Sequence, residues 1–74
     1  MRVRNAHLRR PGERVDSVKL RYRSRPIDCA VSGAAGRHDE LWLELAEPAY
    51  GVAPGQTACL MDGAMVVGHA TIAS

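Results

Sequence analysis

The chain has 74 residues, enough for one small domain but too few to add a separate cofactor domain. Its ten basic and eight acidic side chains give a net charge of +2, and with one Trp, two Tyr and no Phe the core must be built from Val, Leu, Ile, Ala and Met. No apolar run approaches the ~20 residues that cross a bilayer, and the N-terminus lacks a secretory signal. We therefore expect a soluble, cytoplasmic protein without a membrane partner.

The charge is unevenly distributed along the chain. Residues 1–25 carry nine basic side chains against two acids, a balance of +7, whereas residues 26–74 carry one basic side chain against six acids, a balance of −5. Such a split favours a polyanion or an acidic protein surface as partner. An Arg-rich composition inherited from a GC-rich genome is the alternative explanation.

Residues 1–14 are expected to form an N-terminal arm or a short strand, ending in the turn signal RRPGE. In the segment VDSVKLRYRSRP, Val18, Leu20 and Tyr22 then alternate with cations. This period of two predicts a strand with apolar residues inward and cations outward. The outward residues form a basic row of Lys19, Arg21, Arg23 and Arg25.

Three further stretches predict strands. IDCAVS places Ile27, Cys29 and Val31 on one face, and after an expected turn in SGAAGRHDE the segment LWLELA places Leu41, Leu43 and Leu45 on one face. No window shows helical spacing of apolar residues. The sequence therefore predicts one all-β domain over residues 1–74, in which residues 15–74 form a small closed antiparallel barrel of about six strands, because closure removes exposed sheet edges.

The tail contains two turn signals. Ala53-Pro54-Gly55-Gln56 suits a type II turn, with Pro at its second position and Gly at its third. Asp62-Gly63 suits a type I′ hairpin, which would pair Met61 with Ala64, Leu60 with Met65 and Cys59 with Val66. Both faces of this hairpin are apolar, which predicts a cover on each: the domain's own core and a partner.

The sequence contains few residues in patterns typical of catalytic or metal sites. Cys29, His38, Cys59 and His69 are separated by 9, 21 and 10 residues, unlike common zinc patterns, so no metal is expected. Phosphate-binding glycine motifs are absent. Both cysteines sit in apolar strand patterns and are expected to be free. A small enzyme that uses Cys59 and His69 as a nucleophilic pair is the least favoured hypothesis.

The segment GVAPGQTACLMDGAMVVGHATI resembles the C-terminal end of bacterial, especially actinobacterial, tRNA-specific 2-thiouridylases. The family pattern ends in a run of the form GVAPGQxAVxYxGxxVxGxxxI. The matching positions are Gly51, Val52, Ala53, Pro54, Gly55, Gln56, Ala58, Gly63, Val67, Gly68 and Ile72. Cys59 stands where Val is usual and Met61 where an aromatic is usual. Upstream, VKLRYRSRPIDCAV resembles the preceding strand pair, so the similarity covers about residues 15–73.

The resemblance implies that this chain is part of a larger enzyme that thiolates the wobble uridine of tRNA with ATP. It also implies a small barrel like the second domain of elongation factor Tu, one that helps to hold tRNA. The family's ATP loop and reactive cysteines lie upstream of this region, so no catalytic residue and no cofactor is expected within the chain.

We therefore expect an accessory RNA-binding barrel whose partners are tRNA and the catalytic domains of the parent enzyme. Its expected phosphate contacts are Arg2, Arg4, Arg9, Arg10, Lys19, Arg21, Arg23 and Arg25. Trp42 is a candidate for stacking on a base or for packing at a domain contact. The alternative is a purely structural barrel that braces the catalytic core through the 57–72 hairpin without contacting RNA.

Overall fold

The computed structural model describes residues 1–20 and 25–73, and these form a closed antiparallel barrel of six strands. The strands are β1 (Arg2–Leu8), β2 (Ser17–Lys19), β3 (Ile27–Val31), β4 (Gly36–Leu45), β5 (Thr57–Asp62) and β6 (Met65–Ile72). Around the barrel their order is β1, β4, β3, β2, β5, β6. Within the described ranges the helical content is one 3-10 turn, Gly12–Arg14. The prediction of an all-β, six-stranded closed barrel is confirmed.

Alternating apolar residues line the interior of the barrel. The largest fully buried side chains are Leu8, Leu43, Leu60, Ile72, Val3, Val18 and Val67. The predicted inward positions Leu20, Val31 and Leu41 are also buried, while Ile27, Cys29 and Leu45 pack against the core from partly buried positions. Burial of these aliphatic side chains supplies the main driving force for closure.

The turn at the start of the tail forms as predicted. The amide of Gln56 donates to the carbonyl of Ala53 at 3.2 Å, and Gly55 at the third position has φ +93°. A further bond, from the Gly55 amide to the Ile72 carbonyl, fastens the turn to the end of β6. This type II turn therefore leads directly into β5.

The register predicted for the tail hairpin is wrong. Asp62 pairs with Met65, Met61 with Val66 and Cys59 with His69, so the two central turn residues are 63 and 64. Gly63 has φ +59° whereas Asp62 belongs to β5, which fits a turn with glycine in the first central position rather than a type I′ turn over Asp62-Gly63. The Asp16 carboxylate accepts a hydrogen bond from the Gly63 amide at 2.9 Å and stabilises this turn.

Two strand boundaries also differ from the sequence prediction. β4 begins at Gly36, not at residue 41, because the segment expected to be a turn pairs with β1 as far as Leu8 opposite Gly36. β2 ends at Lys19, and Leu20 is buried outside a strand. The remainder of the predicted strand, with Arg21, Tyr22 and Arg23, lies outside the described residues.

Two bulges bend the seam around β6. Between Arg4 and His7, β1 has one residue more than β6, and Asn5 in this stretch has φ +49°, a conformation that Asn tolerates better than most side chains. A second irregularity follows Leu60, where β6 holds the extra residue. Gly68 lies at this crowded seam, since a Cβ there would stand 2.7 Å from the His7 carbonyl oxygen.

Candidate nucleic-acid interface

The predicted phosphate contacts of the N-terminal segment lie on and just after β1. Arg4 is exposed and Arg2 is partly exposed on the outer face, since their neighbour Val3 points into the core. Arg9 and Arg10 follow the strand and are exposed. A side-chain hydrogen bond of 3.0 Å joins Arg2 to the Glu40 carboxylate on β4, so this guanidinium is already partly neutralised.

The second predicted group does not form one straight row in the described part of the chain. Lys19 lies on β2, where Val18 is buried, so its side chain belongs to the outer face. Arg25 is exposed, lies outside any strand and lines a hollow together with Asp16, Asp28 and Glu47. The positions of Arg21 and Arg23 in the row stay a prediction.

A different row of side chains crosses the outside of the barrel. Direct register pairs place Lys19 of β2 opposite Cys59 of β5, Cys59 opposite His69 of β6, His69 opposite His7 of β1, and His7 opposite Arg37 of β4. These five residues, here called the outer row, come from five consecutive strands. Because six strands close the barrel, the outer row runs around most of its circumference, with steps of about 4.8 Å between neighbouring strands.

Part of the outer row borders a polar hollow of about 400 Å³ on β1, β4 and β6, here called the histidine hollow. Its lining residues are Asn5, His7, Arg37, His38, Asp39, His69 and Thr71. The rings of His7 and His69 meet edge to face, with centroids 5.7 Å apart and planes at 79°. His38 is held separately, by a 2.7 Å hydrogen bond between its Nε2 and the Ala34 carbonyl oxygen.

Sequence reasoning missed the histidine hollow because its members come from three separate segments. The signal in β6 was present, since GHATI alternates with His69 outward, but His7 points outward only because β1 bulges between Arg4 and His7. The predicted hairpin register placed Val66 opposite Cys59, whereas the later turn and the bulge of β6 together place His69 there. The correct pairing was needed to bring these segments together.

The hollow that contains Arg25, here called the acidic hollow, has the opposite character. It is lined by Asp16, Asp28 and Glu47 as well as by Cys29. Burial, followed by the nearby charges of Asp16 and Asp28, raises the pKa of the Cys29 thiol to about 11. A thiol in such surroundings stays protonated and unreactive at neutral pH.

The two cysteines are free, and they differ in their neighbours. Cys59 is partly buried and lies between Lys19 and His69 in the outer row. Among the described residues, no cluster of three or more His, Cys, Asp or Glu side chains could hold a metal ion. In the same ranges, no helix is long and apolar enough to cross a membrane.

Large hydrophobic side chains are exposed at three other places, one of which is Tyr50, 82% exposed. Met65 and Val66 are 57% and 49% exposed beside the hairpin turn, and Trp42 is 63% exposed on β4, opposite Arg2. The outer side of the hairpin is thus partly uncovered, as its apolar pattern predicted for the isolated domain.

Comparison with known proteins defines the class of this barrel. The model of the aminomethyltransferase beta-barrel domain family matches residues 3–72, and the chain therefore belongs to that family. No solved structure gives a significant match. The likeness to the second domain of elongation factor Tu accordingly stays a prediction.

Individual curated proteins that resemble the chain define the type of enzyme more narrowly than the family model does. A tRNA-specific 2-thiouridylase MnmA of Nocardioides sp. is 64% identical over 36 residues, which is 49% of this chain and 10% of the relative. One from Bacteroides fragilis is 43% identical over 58 residues, 78% of this chain and 16% of the relative, and one from Cupriavidus metallidurans is 43% identical over 56 residues, 76% and 15%. The chain thus spans 10–16% of the length of these relatives. The resemblance to the C-terminal barrel domain of tRNA-specific 2-thiouridylases is confirmed.

Proposed function

We propose that this chain is the accessory C-terminal barrel of a cytoplasmic tRNA-specific 2-thiouridylase, and that it helps to hold tRNA during thiolation of the wobble uridine. In this proposal the catalytic domains of the parent enzyme bind ATP and carry out the chemistry, and the barrel supplies no catalytic residue. The similarity to several 2-thiouridylases over about three quarters of the chain supports the assignment to this enzyme.

The observation that carries the RNA contact is the outward placement of basic side chains on the neighbouring strands β1 and β4. Arg4 projects outward from β1, Arg37 is exposed on the neighbouring strand β4, and Arg9 follows the end of β1. Cations distributed over one face neutralise successive phosphates without reading sequence. The barrel would therefore position tRNA rather than select among tRNAs.

The experiment is a titration of the chain with unmodified tRNA at several salt concentrations. Because counterion release drives phosphate contacts, the logarithm of the affinity should fall linearly with the logarithm of the salt concentration. The double variant Arg21→Ala with Arg23→Ala should weaken binding and flatten this dependence. If the affinity for tRNA changes neither with salt concentration nor with these substitutions, the proposed phosphate contacts are wrong.

The alternative, a barrel that only braces the catalytic domains, draws support from the exposed apolar side chains of Met65 and Val66. Apolar surface beside a turn is typical of a docking contact when a partner covers it. Chemical-shift mapping with tRNA and with the catalytic domains of a homologous enzyme separates the two functions. If the barrel only braces the catalytic domains, adding those domains should shift the amide signals of the hairpin turn, and adding tRNA should shift none.

A further inference from the structure

The histidine hollow differs in chemistry from a simple phosphate site. It presents three imidazoles and the Arg37 guanidinium, but also the Asp39 carboxylate, the Asn5 amide and the Thr71 hydroxyl. Its volume of about 400 Å³ lies within the range of small-ligand pockets, which is roughly 300–1,000 Å³. Such a mixture suits a ligand that has a flat π-surface as well as polar edges.

The ring geometry leaves a stacking surface. In the edge-to-face pair of His7 and His69, the ring that contributes its edge keeps both of its faces uncovered by the other ring. Arg37 lies directly opposite His7 across the strand pair, so a planar guanidinium belongs to the same surface. Unstacked RNA bases bind on the faces of aromatic side chains, including His, and on the planes of Arg guanidinium groups.

The remaining polar groups favour a base over a bare anion. The Asp39 carboxylate would repel a phosphate within the hollow, whereas it can accept hydrogen bonds from the edge of a base. Asn5 offers both a donor and an acceptor, and it lines the hollow from the bulged stretch of β1, where bulges commonly re-aim side chains. The phosphates on either side of a bound nucleotide would instead meet cations outside the hollow.

One such cation lies close by. Arg4 pairs with Thr71 of β6, so it is next to the hollow on the same outer face. Lys19, by contrast, is two strands from His69, about a third of the way around the closed barrel, and does not face the hollow. The carboxylate of Glu40, the acid nearest to Arg4 in register, is bonded to Arg2.

We propose that the histidine hollow binds a single unstacked ribonucleotide, with its base against the imidazole and guanidinium planes and its flanking phosphates on the outer-face cations. This inference rests on the proposed RNA-binding function and adds to it a site for an unpaired residue of the RNA. The barrel would then favour a loop or a flexible end of RNA over a continuous duplex.

The test uses the full chain, labelled with ¹⁵N, and simple probes. The four nucleoside 5′-monophosphates are titrated in turn, with ribose 5-phosphate and inorganic phosphate as controls that lack the base. We expect the nucleotides to shift the amide signals of His7, Asp39 and His69, and we expect the two controls to leave these signals nearly unmoved. Equal shifts with inorganic phosphate, or no shift at these residues with any nucleotide, would overturn the proposal.

Substitutions at one ring separate stacking from charge. His69→Ala should weaken nucleotide binding at least about 5-fold, since stacking on an aromatic side chain contributes most of the interaction with a base. His69→Phe keeps a ring and should retain binding, whereas His69→Lys replaces the ring by a cation and should abolish it. The opposite order, with Lys retaining and Phe abolishing affinity, would contradict the stacking geometry. The dispersion of the amide spectrum reports that each variant is folded.

The nucleotide site and the proposed RNA-binding function can be tested separately. If no nucleotide binds in the hollow but tRNA still binds in a salt-dependent way, the hollow is not a base site while the phosphate contacts stand. If tRNA does not bind at any salt concentration, the RNA-binding function and the hollow fail together. A single-stranded oligoribonucleotide that binds no better than a duplex of equal length would also contradict the hollow.

Discussion

The histidine hollow and the acidic hollow lie on the same small barrel, yet they present opposite chemistry. The first gathers His7, His69 and Arg37 with one carboxylate, whereas the second surrounds Arg25 with Asp16, Asp28 and Glu47. In the sequence, Arg25 belongs to the basic front of the chain and Arg37 to its acidic rear. Charge along a chain therefore does not report charge on a surface, because strand pairing redistributes it.

The largest expected effect is a loss of stability when the contact between β1 and β6, beside the histidine hollow, is disturbed. Gly68→Ala would place a Cβ 2.7 Å from the His7 carbonyl oxygen, so β1 and β6 would have to separate. We expect the free energy of unfolding to fall by about 2–3 kcal/mol, as overpacking typically costs. Chemical denaturation measures this decrease. The matched control is His69→Ala, which should change stability by less than about 0.5 kcal/mol because its side chain is exposed. Similar stability of the two variants would show that the seam tolerates the added methyl group.

The second prediction compares the contribution to tRNA binding of cations near the histidine hollow with that of Arg25 in the acidic hollow. The double variant Arg4→Ala with Arg9→Ala should weaken tRNA binding at low salt and reduce the slope against the logarithm of salt concentration by about 2, roughly 1 for each phosphate that is no longer neutralised. Arg25→Ala is the matched control, and its slope should stay nearly unchanged, because the neighbouring carboxylates keep phosphates away. A larger decrease for Arg25→Ala than for the double variant would reverse the assignment of the RNA-binding face.

A third prediction concerns the two cysteines. At pH 8 an alkylating reagent should modify Cys59 well before Cys29, since the pKa of Cys29 is raised to about 11 by burial and by Asp16 and Asp28. Because the folded pKa exceeds the ordinary thiol value, the stability that Cys29 contributes is present below about pH 9 and is lost as the pH rises toward 11. Mass spectrometry of partly modified protein measures both rates. Asp28→Asn should speed the reaction of Cys29 without changing that of Cys59, and an unchanged rate at Cys29 would exclude the charge effect.

The smallest effect is expected at the exposed ion pair of Arg2 and Glu40. Glu40→Gln should lower stability by no more than about 0.5 kcal/mol, since exposed pairs contribute little. The same change frees the Arg2 guanidinium and should raise tRNA affinity slightly at low salt. Reduced affinity in this variant would mean that Glu40 itself contributes to RNA binding.

Much of the fold could be predicted from local patterns. Alternation identified the apolar faces of β3 and β4, and Ala53-Pro54-Gly55-Gln56 identified a turn, because these signals depend on neighbouring residues only. Strand limits were harder, since β4 extends to Gly36 through its pairing with β1. That pairing is a long-range interaction and overrides the turn-like composition of the segment.

The candidate site could not be predicted because it depends on register. A glycine turn one residue later than expected and a bulge in β6 together bring His69, rather than Val66, opposite Cys59. One residue added to a strand turns every following side chain to the opposite face of the sheet. An error of one residue in the predicted register therefore places different residues in the outer row. The basic side chains of β1 were predicted from the excess of cations in residues 1–25, which depends on composition and not on register.

The most direct test of the account is chemical-shift mapping of the ¹⁵N-labelled chain with unmodified tRNA at low and at high salt. The account predicts perturbations centred on Arg4, His7 and His69 at low salt, and their disappearance at high salt. Perturbations centred instead on Asp28 and Glu47, or confined to Met65 and Val66 and insensitive to salt, would contradict it.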